Sequence, residues 1–178
     1  MLEKRYNEAK TIGEFIDAAT KNQDLWRSYY DRAEIPEAIL ARARAIPGTW
    51  HLLVLAEDWC GDAFNSVPYL AKLADQVENF DLRILERDQN LDIMDRYLTN
   101  GGRSIPKVIV LDADWAERGD WGPRPAELQN WFLEEGKQME FEERWLQMRR
   151  WYARDRGTTT LEEVVTLLES LAAEKVTA

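Results

Sequence analysis

The sequence is poor in sulfur and in imidazole, with one cysteine, Cys60, and one histidine, His51, in 178 residues. A single cysteine excludes an intramolecular disulfide and any cysteine-rich zinc site. A lone thiol fits a reducing compartment. Long apolar runs are missing too. The longest, Leu52-Leu53-Val54-Leu55-Ala56, is far shorter than the roughly 20 residues of a membrane-spanning helix. The amino terminus, MLEKRYNEAK, is charged and lacks the apolar stretch of a signal peptide. Positive charge is in deficit: 23 Lys and Arg against 33 Asp and Glu leave a net charge of −10, which argues against a nucleic acid or an anionic membrane as partner. No Walker-type or Rossmann glycine fingerprint occurs, and no cofactor is expected. These absences read as a cytoplasmic protein.

What is present suits one folded domain of 178 residues, with 45% hydrophobic residues and eight tryptophans. No repeat or Pro/Ser-rich linker divides it. Residues 1–47 read as a helical segment. Thr11 and Glu14 have capping-box spacing, Ile12, Phe15 and Ile16 recur at helical intervals, and Pro36 opens a further helix. Residues 50–56 read as a buried strand, 62–77 as a helix and 82–85 as a strand. A short helix runs through Leu91, Met94 and Leu98, ended by Gly101-Gly102; 107–111 is a second buried strand, and 115–121 returns as its hairpin partner. Phe141, Trp145, Met148 and Tyr152 form an apolar helical stripe, after which Gly157 breaks the chain and Thr160 with Glu163 caps a last helix. Alternation of this kind implies an α/β sheet between helices with right-handed crossovers. The segments are a helical amino terminus (1–47), a core (48–152) and a carboxyl-terminal helix (153–178).

Cys60 lies in Glu57-Asp58-Trp59-Cys60-Gly61-Asp62-Ala63, past the carboxyl end of a buried strand and at the start of a helix. Ligand chemistry collects at such strand ends, and a helix amino terminus stabilises a thiolate. Trp59-Cys60-Gly61 followed by a helix resembles the active-site turn of the thioredoxin superfamily. Pro68 resembles that family's helix proline, and Ile105-Pro106 its cis-proline loop. The wider string EDWCGDA, with RDQNLDIMDRYLTNG, RSIP and WGPRP, is similar to a small bacterial thioredoxin-like family. The resemblance implies a thioredoxin-like fold, a central mixed sheet between helices, with helical extensions at both ends.

The departures from that family define the expected chemistry. Ala63 stands where thioredoxins carry their second cysteine, Asp62 replaces the proline between the two, and Val54 replaces the buried acid. Without a resolving thiol, attack on a disulfide stops at the mixed disulfide. The expectation is a one-thiol site in cell redox homeostasis: Cys60 is the nucleophile, Ile105 and Pro106 position the partner, and Trp59, Gly61 and Asp62 border the site. The partner would be a protein or a low-molecular-weight thiol or disulfide. The rival is a binding module for a protein partner that kept the fold and lost the chemistry. Under either reading the protein is expected as a monomer or a homodimer, for which the aromatic stripe is a candidate interface.

Other features read as structural. The sign of the Cys60 pKa shift is open: the helix terminus favours the thiolate, and Glu57, Asp58 and Asp62 oppose it. If the Ile105-Pro106 loop packs as the resemblance implies, Arg103 is the nearest candidate cation. The three acids read as a solvated rim rather than a hard-cation site. His51 reads as a satisfied core or edge histidine. In segment 144–154 the aromatics are expected to pack while the arginines face water. Peroxidase chemistry would need Thr or Ser where Glu57 stands, and the preceding helical segment fits a glutathione transferase poorly.

Overall fold

The apolar runs become the two central strands of a mixed sheet because only strands buried on both faces tolerate such uniform side chains. The computed structural model describes residues 2–177, with side chains described to Glu174. In chain order the elements are α1 (Leu2–Glu8), α2 (Ile12–Ala18), α3 (Gln23–Arg32), α4 (Glu37–Ala45), β1 (Trp50–Ala56), α5 (Gly61–Gln76) and β2 (Phe80–Glu86). These are followed by α6 (Leu91–Met94), β3 (Lys107–Asp112), β4 (Glu117–Trp121), α7 (Ala126–Glu134), α8 (Phe141–Asp155) and α9 (Thr158–Thr177).

The sheet order is β2-β1-β3-β4. β1 and β2 are parallel, pairing Leu52 with Leu82 and Val54 with Ile84, and α5 is the crossover between them. β1 and β3 are antiparallel, pairing Leu52 with Val110 and Val54 with Val108, and β4 closes the far edge. Leu52, Leu53, Val54, Val108, Ile109 and Val110 have no exposed surface. α5 and α9 pack on one another and reach β2 and β4 respectively. Leu161, Val164, Val165 and Leu168 of α9 are fully buried. This is the expected α/β architecture. Among the described residues no helix is long and apolar enough to cross a membrane.

The helical amino terminus is bound into the core. Lys10 exchanges two backbone hydrogen bonds with Ile84, at 3.0 and 2.8 Å, on the outer side of β2. That bridge occupies part of an otherwise open sheet edge. Trp26 is wholly buried against Phe15, ring centroids 4.9 Å apart. The capping box at Thr11 and Glu14 forms in full. On another face His51 stacks on Trp115 at 4.2 Å and meets the edge of Tyr6. Burial lowers the His51 pKa, and Nδ1 makes no hydrogen bond within the protein. The histidine is held by its neighbours' rings rather than satisfied by hydrogen bonding.

Two boundaries differ from the sequence pattern. The short helix ends at Met94 and not at Leu98, which is exposed; Asn100 and Gly101 take left-handed conformations, and Thr99 pairs with Gly102 in a tight turn. Thr160 and Glu163 do not cap the last helix. α9 begins at Thr158, Thr160 is buried in its first turn, and Asp155 accepts the Thr159 N–H at 3.2 Å. The Glu163 carboxylate instead accepts the Trp121 indole and the Ala126 N–H, both at 2.7 Å. A first-turn N–H of α7 is otherwise an orphan donor, so the acid serves a neighbouring helix instead of its own.

Gly157 separates α8 from α9 at φ +75°, and a Cβ there would fall 2.3 Å from the Tyr69 ring. Gly157→Ala is expected to lower stability by about 1–3 kcal/mol through overpacking and strain, read as a drop in urea midpoint. Gly13→Ala, in α2 with open space around it, is expected to leave the midpoint unchanged or raise it.

Candidate functional site

β1 delivers Glu57, Asp58 and Trp59 to the sheet's carboxyl edge, and α5 starts immediately beyond. Cys60 is the N-cap residue of α5, in extended conformation, with its carbonyl accepting the Phe64 N–H at 3.1 Å. The Ile105-Pro106 peptide is cis, and the Cys60 thiol donates to the Ile105 carbonyl at 3.5 Å. The candidate nucleophile and the candidate loop are therefore in contact. A second cis peptide joins Gly122 to Pro123. A Cβ on Gly122 would sit 2.2 Å from the Pro106 carbonyl oxygen, so only glycine allows the two proline loops to lie together. Lys107, almost fully buried, ties them further by donating to Asp120 at 2.8 Å and to the Gly122 carbonyl at 3.1 Å.

The three acids do not form a solvated rim. The Asp58 carboxylate accepts the backbone N–H groups of Thr20 at 2.7 Å and Lys21 at 2.9 Å, while the Trp26 indole donates to the Asp58 carbonyl. Glu57 is buried and accepts the Asp88 N–H at 2.8 Å; burial raises its pKa against that hydrogen bond. Asp62 is buried in the first turn of α5, bonded by the Tyr152 hydroxyl at 2.8 Å and the Arg124 guanidinium at 2.7 Å. Each carboxylate accepts from donors elsewhere in the chain. Burial raises the Asp62 pKa, while Arg124 and Tyr152 pull it down.

Arg103 is not the cation at the sulfur. It is exposed and forms a forked pair with Asp95, at 2.6 and 2.9 Å. Arg124 takes that place, held over the Phe132 ring at 4.1 Å and donating to Gln129 at 2.8 Å. Arg124 and Tyr152 are the site residues that sequence reasoning passed over. The proline-framed arginine in Gly122-Pro123-Arg124-Pro125 was the available signal for the first.

The expected helical stripe also behaves differently. Of its members only Tyr152 is buried; Phe141 is 67% exposed and Trp145 44%. With Trp59, Phe132 and Met148 they wall an open cavity of about 350 Å³ whose floor includes Cys60, Gly61 and Asp62. The arginines of the segment do not all turn away: Arg144 and Arg149 line the same cavity, Arg149 resting over the Trp145 ring at 4.5 Å. Ile105 and Pro106 are buried and do not line it. Trp59, 43% exposed, forms its rim and carries Arg87 over its ring at 5.2 Å.

These surroundings fix the sign of the thiol's shift. Cys60 is only 8% exposed. Burial and the Asp62 charge push it up to about 12, against the Ala63 and Asp62 N–H groups and Arg124. The unfolded thiol titrates at about 8.5. The native state therefore keeps a proton that the unfolded chain loses, and stability contributed by the thiol declines as pH rises from about 8.5 toward 12. Wild-type protein should lose up to about 1.4 kcal/mol per pH unit relative to Cys60→Ala over pH 9–10, measured by urea midpoints.

The thioredoxin family model matches residues 9–140. A crystal structure of a protein of unknown function, PA1234 from Pseudomonas aeruginosa, superposes with a TM-score of 0.75 at 19% identity, covering 93% of this chain and 95% of that one. An HIV epitope-scaffold, 4E10, superposes equally well, with a TM-score of 0.75 at 19% identity over 94% of this chain and 97% of that one. At such identity the likeness concerns the fold. No curated protein matches the sequence. The match spans most of the chain and includes the Cys60 turn and the Ile105-Pro106 loop: the protein belongs to the thioredoxin family.

Proposed function

We propose that the protein is a one-thiol member of its family, forming a mixed disulfide through Cys60 in cell redox homeostasis. The observation that carries this reading is the position of the thiol. It caps α5, touches the Ile105 carbonyl of the cis-proline loop and opens onto the cavity floor. In the exchange, the Cys60 sulfur bonds to one sulfur of a disulfide R–S–S–R′ as the S–S bond breaks. The proton of Cys60 leaves with the departing sulfur as R′–SH, so atoms and electrons balance. Ala63 offers no second thiol, and the adduct persists until an external thiol removes it. Substrate must displace the hydrogen bond to Ile105, which makes this a masked thiol, slow at neutral pH.

A second reading is favoured by the same raised pKa. With its thiol protonated and its acid engaged by Arg124 and Tyr152, the site would serve as a binding module for a protein partner, with Cys60 a spectator.

Alkylation of Cys60, followed by intact mass, separates the two. The rate should climb with pH through 9 and 10 without reaching a plateau, because thiolate forms only toward about 12. Oxidised glutathione should add once, saturably, and not at all to Cys60→Ser. Absence of an adduct after prolonged incubation at pH 9 would assign the protein to the binding reading. Asp62→Asn keeps the side chain's shape and removes the charge that opposes the thiolate. It should accelerate alkylation at pH 8 by about tenfold for each unit of lowered pKa.

A further inference from the structure

The cavity over Cys60 differs in charge from the rest of the molecule. The chain carries −10 overall, yet the residues lining this cavity include three arginines and one acid, Asp62. Asp62 is already matched by Arg124 at 2.7 Å. Among the described residues Arg144 and Arg149 form no ion pair; Arg144 donates to the Gly136 carbonyl at 3.4 Å and lies by the Phe132 and Phe141 rings at 5.9 and 5.6 Å, and Arg149 lies on the Trp145 ring. Two guanidiniums without counter-charge in an acidic protein mark a place where an anion is favoured. Their seating by aromatic rings holds them at the cavity and, apart from the one Arg144 donor that Gly136 accepts, leaves their edge donors for a ligand.

The walls of the cavity are apolar and aromatic. Of the six large apolar residues that the described chain exposes, Trp59, Phe141 and Trp145 gather at this one rim. Such clustering is what distinguishes a binding surface from scattered exposed residues. The volume, about 350 Å³, suits a small molecule rather than a folded partner.

We propose that the cavity binds a small amphipathic organic anion, an apolar or aromatic body bearing a carboxylate or sulfonate, with the anion on Arg144 and Arg149 and the body between Trp59, Phe141 and Trp145. The ligand class belongs to the Cys60 site itself. Any exchange with such a ligand rests on the one-thiol reading, whereas binding does not require Cys60.

Calorimetric titration with two thiol-free probes, naphthalene-2-sulfonate and 2-naphthylmethylammonium, tests the assignment. The sulfonate should bind once per chain, at least about tenfold more tightly than the ammonium. The double variant Arg144→Gln, Arg149→Gln should weaken sulfonate binding by about tenfold or more and narrow the gap between the probes. Indole resonances of Trp59 and Trp145 should shift in the wild type. Cys60→Ser should bind the sulfonate as the wild type does, so loss of glutathione adduct formation and loss of anion binding are read separately. Equal affinity for the two probes, or unchanged sulfonate affinity in the double variant, would overturn the proposal.

Discussion

A buried carboxylate organises this site. Asp62 occupies the first turn of α5, where the helix dipole favours negative charge, but it has almost no contact with water. An isolated buried carboxylate would be costly, and two donors from distant parts of the chain relieve it: Arg124, between β4 and α7, and Tyr152, near the end of α8. Those two bonds tie the segment before α7 and the end of α8 to the first turn of α5, and α7 and α8 carry the aromatic and basic walls of the cavity.

The same charge sets the chemistry of the neighbouring sulfur. A helix N-cap lowers a thiol's pKa when water or a cation completes the environment. Here the sulfur is buried, its S–H is engaged by the Ile105 carbonyl, and the nearest acid raises its pKa further. Arg124 opposes that effect but is committed to Asp62. Ala63 and Val54 supply neither a second thiol nor a buried acid to this site. The carboxylate beside the sulfur is Asp62, in the first turn of the helix with its own cation and hydroxyl, and its charge acts against the thiolate.

The helical amino terminus supports the site from the other side. Asp58 binds the backbone turn between α2 and α3, and Trp26 holds the Asp58 carbonyl from within the core. Glu57 reaches across to the residues after β2. The loop leading to Cys60 is thus fastened on both flanks, while Trp59 between them is left at the cavity rim. Glu57, Asp58 and Asp62, within six residues of one another in sequence, find different partners, none of them nearby in the chain.

Local pattern was sufficient for most elements and for the turn that carries the thiol. The apolar strands, the capping box at Thr11 and Glu14, the Cys60 turn and the Ile105-Pro106 loop were all legible because each depends on short-range periodicity or on a compact motif. Pairings across long separations were not legible. Glu163 lies a capping distance from Thr160 yet serves α7, and Arg103 precedes the cis-proline loop yet pairs with Asp95. Arg124 and Tyr152 are 62 and 90 positions from Asp62, and nothing in their local sequence specifies that they meet. Spacing along a helix or strand determines which face a residue occupies. Which donor a buried acid finds, and hence the acidity of the thiol beside it, is decided only when the elements pack, because desolvation and Coulombic contact belong to the assembled interior.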